Sequence, residues 1–160
     1  MKRRTMQRGF TLIELLVVMA IVAILAVIAV PGFGEYFATQ RVKSAAEELI
    51  SDLQFARLES VQKNVPVTVT FAATGYTISR ALPTATTIKT VALASGSSVS
   101  GGATVVAVFD QVRGTATLTN GSDITLANSA TSRTLRVSLS TMGRVSVCTP
   151  SGALKGYSTC

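Results

Sequence analysis

The residue types that perform acid–base or metal chemistry are scarce in this chain. It has no histidine, and its two cysteines, Cys148 and Cys160, lie at the C-terminal end. Histidine is the commonest general base and metal ligand in proteins, and two thiols alone do not complete a zinc site. The adjacent carboxylates Glu47 and Glu48 fall on a predicted helix, where they are most simply solvated. The composition therefore predicts a protein that is not an enzyme and that binds no metal or cofactor.

The chain begins with four basic residues and a long apolar run. Residues 10–30 contain only two polar side chains, Thr11 and Glu14. As a helix this run would span roughly 32 Å, which is enough to cross a bilayer. The preceding basic residues place the N-terminus in the cytoplasm and the rest of the chain outside it. A secretory signal peptide fits less well, because the run is long and no small-residue cleavage site follows it.

Glu14 does not fit a plain membrane anchor. A carboxylate inside hydrocarbon costs about 3 kcal/mol on insertion scales and usually has a partner. One explanation is that Glu14 lies near the cytoplasmic edge of the bilayer and reaches water there. The other is a cut after Gly9, which would create an α-amino group on Phe10, four residues from Glu14, and would remove the basic residues.

The string GFTLIE, residues 9–14, resembles the N-terminal signature of type IV prepilins and type II secretion pseudopilins. In that family a prepilin peptidase cuts after the glycine and methylates the new N-terminal phenylalanine. The glutamate then neutralises the N-terminal amine of a neighbouring subunit. The resemblance implies that Gly9 is the cleavage site, Phe10 the methylated N-terminus and Glu14 an assembly residue. The family often has a proline at the position of Pro31, which adds Pro31 to the assembly residues.

Beyond Pro31 the sequence predicts a second helical half and then strands. Apolar residues recur at helical spacing from Val42 to Ala56, the mark of an amphipathic helix, and Pro31 interrupts the helix without necessarily ending it. After Pro66 the apolar period changes to two, typical of strands. The predicted strands are 67–71, 76–80, 88–94, 104–109, 115–119, 124–127, 134–139 and 144–148. Residues 115–127 are predicted to form a hairpin with Asn120 and Gly121 at its bend, and residues 95–103 a flexible connection.

Together these patterns predict an α+β fold. A long N-terminal helix, half transmembrane and half amphipathic, packs on an antiparallel β-sheet head. The predicted segments are a leader peptide (1–9), a transmembrane and filament-core helix (10–30), an amphipathic helix (31–64) and a β-rich periplasmic head (65–160).

The head resembles the GspH/FimT branch of this family. The resemblance lies in AAEELISDLQFARLESVQKNVPVTV, residues 45–69, and in STMGRVSVC, residues 140–148. It implies a minor pilin of a type IV pilus, or a minor pseudopilin of a type II secretion system with a structural role. The implied partners are other pilins or pseudopilins, prepilin peptidase and the bacterial inner membrane. Outside the cytoplasm Cys148 and Cys160 can pair, and such a terminal pair resembles type IV minor pilins more than pseudopilins.

DNA is a further partner that the resemblance implies. Some FimT-like minor pilins bind DNA during uptake through a basic patch around a Gly-Arg-x-Arg motif. Gly143 and Arg144 match this motif, but Ser146 stands where the second arginine would be. Seven basic and two acidic residues follow residue 65, a net charge of +5, and such a surface can contact phosphates without reading sequence. The alternative interpretation is that these charges keep the head soluble. The candidate DNA-binding residues are Arg133, Arg136, Arg144 and Lys155.

Overall fold

The computed structural model describes residues 10–81, 84–100, 105–119, 123–150 and 154–160, apart from the side chains of residues 28–32 and 100. The chain divides into two compact units, Met1–Tyr36 and Phe37–Cys160. The helix α1 comprises Leu12–Lys63. The strands are β1 (Val67–Ala72), β2 (Gly75–Arg80), β3 (Thr86–Ala92), β4 (Ser97–Ser100), β5 (Val106–Phe109), β6 (Ala116–Thr119), β7 (Asp123–Asn128), β8 (Thr131–Leu139), β9 (Val145–Thr149) and β10 (Ser158–Thr159).

The C-terminal half of α1 is the amphipathic helix that the sequence predicts. Val42, Ala46, Leu49, Leu53 and Ala56 are each at most 1% exposed. Their spacing of three or four residues places them on one face of the helix. The helix ends where predicted, because the residue after Lys63 adopts a left-handed backbone conformation, with φ of 53°, which is a common way for helices to end.

The strands form two five-stranded sheets. In the first, the order is β3-β2-β1-β5-β6, and every neighbouring pair is antiparallel. In the second, the order is β10-β9-β8-β7-β4, and only β10 and β9 are parallel. A long helix packed on a mostly antiparallel β-sheet head confirms the predicted α+β fold class.

Two local predictions are wrong. Residues 95–103 were expected to be a flexible connection, but Ser97–Ser100 form β4, which pairs with β7 at the edge of the second sheet. The expected hairpin over residues 115–127 does not exist, because β6 pairs with β5 whereas β7 pairs with β4 and β8. Its expected bend, Asn120-Gly121, lies outside the described residues. In the first case β4 pairs with a strand distant in sequence, which local turn residues do not specify. In the second case β6 pairs with the strand before it instead of the strand after it.

The core is one hydrophobic cluster that contains the buried face of α1 and the inner faces of both sheets. Along β1 the exposure alternates, with Val67, Val69 and Phe71 buried and the threonines between them less so. Such period-two burial is expected when one face of a sheet covers a core. Each large side chain buried in this way stabilises the fold by about 1.5–3 kcal/mol.

A polar network joins α1 to the first sheet. The carboxylate of Asp52, which is 7% exposed, accepts a hydrogen bond of 2.6 Å from the Tyr76 hydroxyl and forms an ion pair of 2.7 Å with Lys89. Burial, and then the bond to Asp52, raise the pKa of Tyr76. The bond to Asp52 is the main cause that raises the pKa of Lys89. Lys89 also contacts Glu48 at 3.3 Å, so three elements share one satisfied cluster.

We expect Lys89→Met to lower the free energy of unfolding of the head by about 2 kcal/mol. The substitution would leave the Asp52 carboxylate buried without its cation, which is costly, although the partial exposure of the lysine keeps the loss below that of a fully buried pair. Urea unfolding of residues 37–160 measures the change. The matched control is Lys63→Met at the end of α1, which should change stability by less than about 0.5 kcal/mol. Equal effects of the two substitutions would contradict a role for the Asp52 ion pair.

Candidate functional site

The start of α1 places Glu14 in the first turn of the helix. Thr11 precedes the helix, and its hydroxyl oxygen accepts a hydrogen bond of 3.3 Å from the Glu14 backbone N–H. A threonine followed three residues later by glutamate is the capping-box pattern, and a carboxylate in the first turn also interacts favourably with the helix dipole. The sequence interpretation did not consider this local role for Glu14, although the TLIE string contained the signal.

The N-terminal part of α1 exposes its apolar side chains. Every large apolar side chain from Phe10 to Val27 is about half exposed or more, from 48% at Val17 to 82% at Phe10. Within the part of the chain that the structure describes, no helical stretch has both the length and the apolarity of a membrane span. The predicted span, residues 10–30, extends into residues whose side chains lie outside the described set.

The structure does not fully describe two of the predicted processing and assembly positions, Gly9 and Pro31. The predicted cleavage site, Gly9, lies outside the described residues. At Pro31 the backbone is helical, since α1 continues from Leu12 to Lys63, whereas the proline side chain lies outside the description. The expectation that Pro31 does not end the helix is therefore confirmed, and its assembly role stays a prediction.

A groove with three arginines lies between α1 and two turns of the head. One turn joins β5 to β6, and the other joins β8 to β9. The groove has a volume of about 570 Å³. We call it the arginine groove, and its lining residues are Gln54, Arg57, Leu58, Val61, Arg113, Gly114, Gly143, Arg144 and Val145.

Two glycines allow both turns to approach the arginine of the helix. The Arg57 Nε donates a hydrogen bond of 3.0 Å to the Gly114 carbonyl oxygen. A Cβ added at Gly143 would lie 2.7 Å from that same oxygen and 2.9 Å from the Arg57 Nε. Both glycines have positive φ, 61° and 72°, a conformation that side chains resist. The Gly-Arg pair at 143–144 therefore has a packing reason in addition to any binding role.

The turn that contains Arg113 is fixed by a carboxylate. The Asp110 Oδ1 accepts hydrogen bonds of 2.9 Å from the backbone N–H groups of Arg113 and Val112. These two bonds, that of Arg113 first, lower the pKa of the Asp110 carboxyl. Asp110 is thus occupied with holding the turn, and the Arg113 side chain extends from a fixed backbone.

The four candidate DNA-binding residues do not form one cluster. Arg144 lines the arginine groove. Arg136, on β8, forms an ion pair of 3.8 Å with Asp123, and Arg133 has an interaction partner of its own. The Lys155 carbonyl oxygen accepts a hydrogen bond from the Lys43 ammonium. Lys43 precedes Arg57 by 14 residues, or about 21 Å along a helix, so Lys155 lies away from the arginine groove.

Sequence reasoning missed two of the three arginines of the groove. Arg57 comes from the helix and Arg113 from the β5–β6 turn, and neither belongs to the C-terminal motif that directed attention to Arg144. Only the packing of the two turns on α1 brings the three together. The sequence contained one weak indication of this, because both turns have an apolar residue followed by an adjacent arginine and glycine, in Val112-Arg113-Gly114 and Met142-Gly143-Arg144.

The two cysteines are joined as the sequence allows. Cys148 on β9 and Cys160 at the C-terminus form a disulfide, which closes the segment that contains β10. Within this segment Tyr157 contacts α1 twice, through a hydrogen bond of 3.3 Å to Glu47 and through its ring, 5.9 Å from the Lys43 ammonium. The disulfide thus keeps the C-terminal segment near the helix. Among the described residues, no group of three or more side chains suits a metal ion.

We expect Gly143→Ala to destabilise the head more than Gly156→Ala. Both glycines have positive φ, 72° and 99°, so each alanine should cost about 1–2 kcal/mol in backbone strain. Among the described residues a Cβ at Gly156 would meet nothing within 4 Å, whereas at Gly143 it would collide with the β5–β6 turn, which adds about 1–3 kcal/mol. Urea unfolding of the two variants gives the difference. Equal losses would show that the approach of the two turns is loose.

Comparison with known proteins places the chain in a family. A family model described as Type II transport protein GspH matches residues 45–143, more than half of the chain. The model of the prokaryotic N-terminal methylation motif matches residues 4–30. No curated protein and no solved structure matches significantly. The two matches cover the apolar segment and most of the head, including Arg57 and Arg113 of the arginine groove but not Arg144. The chain therefore belongs to the GspH family of type IV pilin-like proteins and is a minor pilin or pseudopilin.

Proposed function

We propose that this chain is a minor pilin of a type IV pilus and that Glu14 controls its assembly. Prepilin peptidase cuts the inner-membrane precursor after Gly9 and methylates Phe10. The apolar helix then leaves the bilayer for the core of the filament. There the Glu14 carboxylate pairs with the N-terminal amine of a neighbouring subunit, which gives both charges a partner in an apolar surrounding.

The observation that carries this proposal is the exposed apolar segment with one carboxylate. From Phe10 to Val27 the large apolar side chains remain half exposed or more, so they need lipid or other subunits to cover them. Glu14 is the only charged residue among residues 10–30. Packing of one surface against a different one builds an open helical polymer, and a charge that requires a partner would fix the register of each new subunit.

The choice of a type IV pilus over a secretion system is supported by the Cys148–Cys160 disulfide, since a terminal cysteine pair resembles type IV minor pilins. The alternative is a GspH-like minor pseudopilin with a purely structural role, which the name of the matched family also fits. Surface filaments that contain this chain would support the pilus. Loss of protein secretion on deletion, with normal filaments, would support the pseudopilin.

DNA capture stays a prediction from the resemblance. Its strongest residue is Arg144, whose guanidinium forms no ion pair with the described carboxylates. The pairing of Arg136 with Asp123 and the distance of Lys155 from the groove reduce the charge available at any one place.

We expect Glu14→Gln to insert in the membrane but to enter filaments at least about tenfold less than the wild type. Glutamine can still complete a capping box, but it has no charge to neutralise the amine of a neighbour, and tenfold corresponds to about 1.4 kcal/mol. Immunoblots of sheared filaments and of membranes measure the two pools.

Thr11→Ala is the matched control for the local role of Glu14. It removes the cap hydroxyl and keeps the carboxylate, so it should assemble normally if charge pairing is what matters. Normal assembly of Glu14→Gln together with failure of Thr11→Ala would assign Glu14 to the start of the helix and contradict the proposal.

We expect Gly9→Leu to leave the chain as a full-length precursor. A peptidase that accepts only glycine before the cut cannot place the larger side chain, so the leader of nine residues should remain. Mass spectrometry of the N-terminal peptide measures the result, with Thr11→Ala as a variant that should still be cut. Continued cleavage of the bond before Phe10 in Gly9→Leu would show that the site has been misassigned.

A further inference from the structure

We propose that the arginine groove binds an acidic and apolar segment of a different pilin-class subunit. This inference deepens the proposed function, on which it rests, because it assigns the head a partner and a contact surface. Neither the N-terminal motif nor the family match assigns a role to Arg57, Arg113 and Arg144 as a set.

The first observation is a concentration of positive charge with no carboxylate in ion-pair contact among the described residues. Arg57, Arg113 and Arg144 line one groove of about 570 Å³, and none of them is within ion-pair distance of a carboxylate in the described part of the chain. Asp110 also feels the charge of Arg113, which is a smaller cause of its lowered pKa, but its Oδ1 binds two backbone N–H groups and forms no ion pair with the guanidinium. Guanidinium groups present a planar set of donors that matches carboxylates. An incoming acidic group would therefore gain interactions that this chain does not itself satisfy.

The second observation is that apolar side chains surround these charges. Leu58 and Val61 line the groove and are 59% and 48% exposed, and Val112 and Met142 on the two turns are 75% and 78% exposed. Exposed apolar side chains beside arginines are typical of protein interfaces, where methionine and arginine are enriched. Binding of single-stranded DNA uses positive charge for the phosphates and aromatic rings for stacking on the bases. Among the described residues no aromatic side chain lines the groove. The exposed apolar side chains beside the arginines favour a protein segment.

The third observation is that this chain has little acid to offer to a second copy of itself. Its eight acidic residues all lie in the described residues, and every one in the head has an intramolecular partner. Glu48 and Asp52 contact Lys89, Glu59 contacts Arg80, Asp123 contacts Arg136, Asp110 holds its own turn and Glu47 contacts Tyr157. Glu35 also has a partner, and Glu14 lies in the apolar segment. Charge complementarity therefore points to a different, more acidic subunit.

The geometry of the groove is set before any partner binds. Arg57 is held by the Gly114 carbonyl oxygen, and the two turns meet where a Cβ would not fit. Side chains that are already ordered lose less entropy on association. A groove formed in this way suits a specific contact between subunits better than a diffuse electrostatic attraction.

The test is photo-crosslinking of the full chain in cells that make filaments. A photoreactive phenylalanine analogue replaces the exposed Met142, which precedes the groove residue Gly143, and cross-linked products are identified by mass spectrometry. We expect a product with another subunit that bears an N-terminal methylation motif, linked through a peptide that contains carboxylates. Arg113→Glu and Arg144→Glu should each lower the yield about tenfold or more. Each substitution would place a negative charge opposite the acidic segment, and like charges that face each other weaken binding.

The matched control is Arg41→Glu, which makes the same charge change about 24 Å away along the helix. It should leave the yield unchanged. Replacing the identified carboxylate of the partner by lysine should restore the product with Arg113→Glu, which separates a direct contact from a folding defect.

Four results would overturn the inference: no product, a product with a second copy of this chain, a nuclease-sensitive product with DNA, or a yield that neither Arg113→Glu nor Arg144→Glu lowers. The Glu14→Gln variant distinguishes a failure of the proposed assembly role of Glu14 from a failure of the proposed groove contact. If that variant still enters filaments, the assembly role fails, while the groove contact is decided by the products of the wild-type chain.

Discussion

The buried face of α1 is the element on which the head is built. Leu49 and Leu53 are fully buried there, and they belong to the same cluster as the inner faces of both sheets. A sheet with one apolar face needs a covering layer, and here one helix contributes to a core shared by two sheets. On this stripe the small residues Ala46 and Ala56 flank the two leucines, which leaves room for side chains from the strands. Without this stripe each sheet would lack part of its cover.

The neighbouring face of α1 fixes the first sheet by charge. Asp52 reaches β2 through Tyr76 and β3 through Lys89, and Glu59 reaches Arg80 at 3.4 Å. These contacts, with those of Glu48 to Lys89 and Glu47 to Tyr157, commit four of the six acidic residues of α1 to the fold of the head. Elsewhere on the same helix, Arg57 lines a groove with Arg113 and Arg144, and none of the three forms an ion pair with a described carboxylate. The carboxylates of α1 thus stabilise the head, and the groove arginines are left for a partner.

Each of the two candidate surfaces of the molecule needs a binding partner. The N-terminal part of α1 exposes apolar side chains that lipid or other helices must cover, and the arginine groove presents cations that an acidic segment would neutralise. A subunit whose groove is basic and whose acids are occupied does not complement itself through that groove. This asymmetry agrees with a minor subunit that joins an assembly of different chains rather than one that polymerises alone.

Local sequence determined most elements of this protein, the exceptions being the short strands β4 and β10. The GFTLIE string, the apolar run and the helical spacing from Val42 to Ala56 act within a few turns of helix, and the strands follow from period-two burial that each segment expresses by itself. The cysteines could be recognised as a possible pair because both lie at the C-terminus. These predictions hold because the residues involved are neighbours along the chain.

Tertiary structure alone decided how the elements combine. The division into two sheets depends on pairings between strands tens of residues apart, namely β1 with β5 and β4 with β7. The arginine groove has the same origin, since Arg57, Arg113 and Arg144 are separated by 56 and 31 positions and meet only when two glycine turns close on the helix. Sequence spacing encodes which face of an element is apolar, whereas contacts between distant elements depend on the simultaneous packing of all of them in one core.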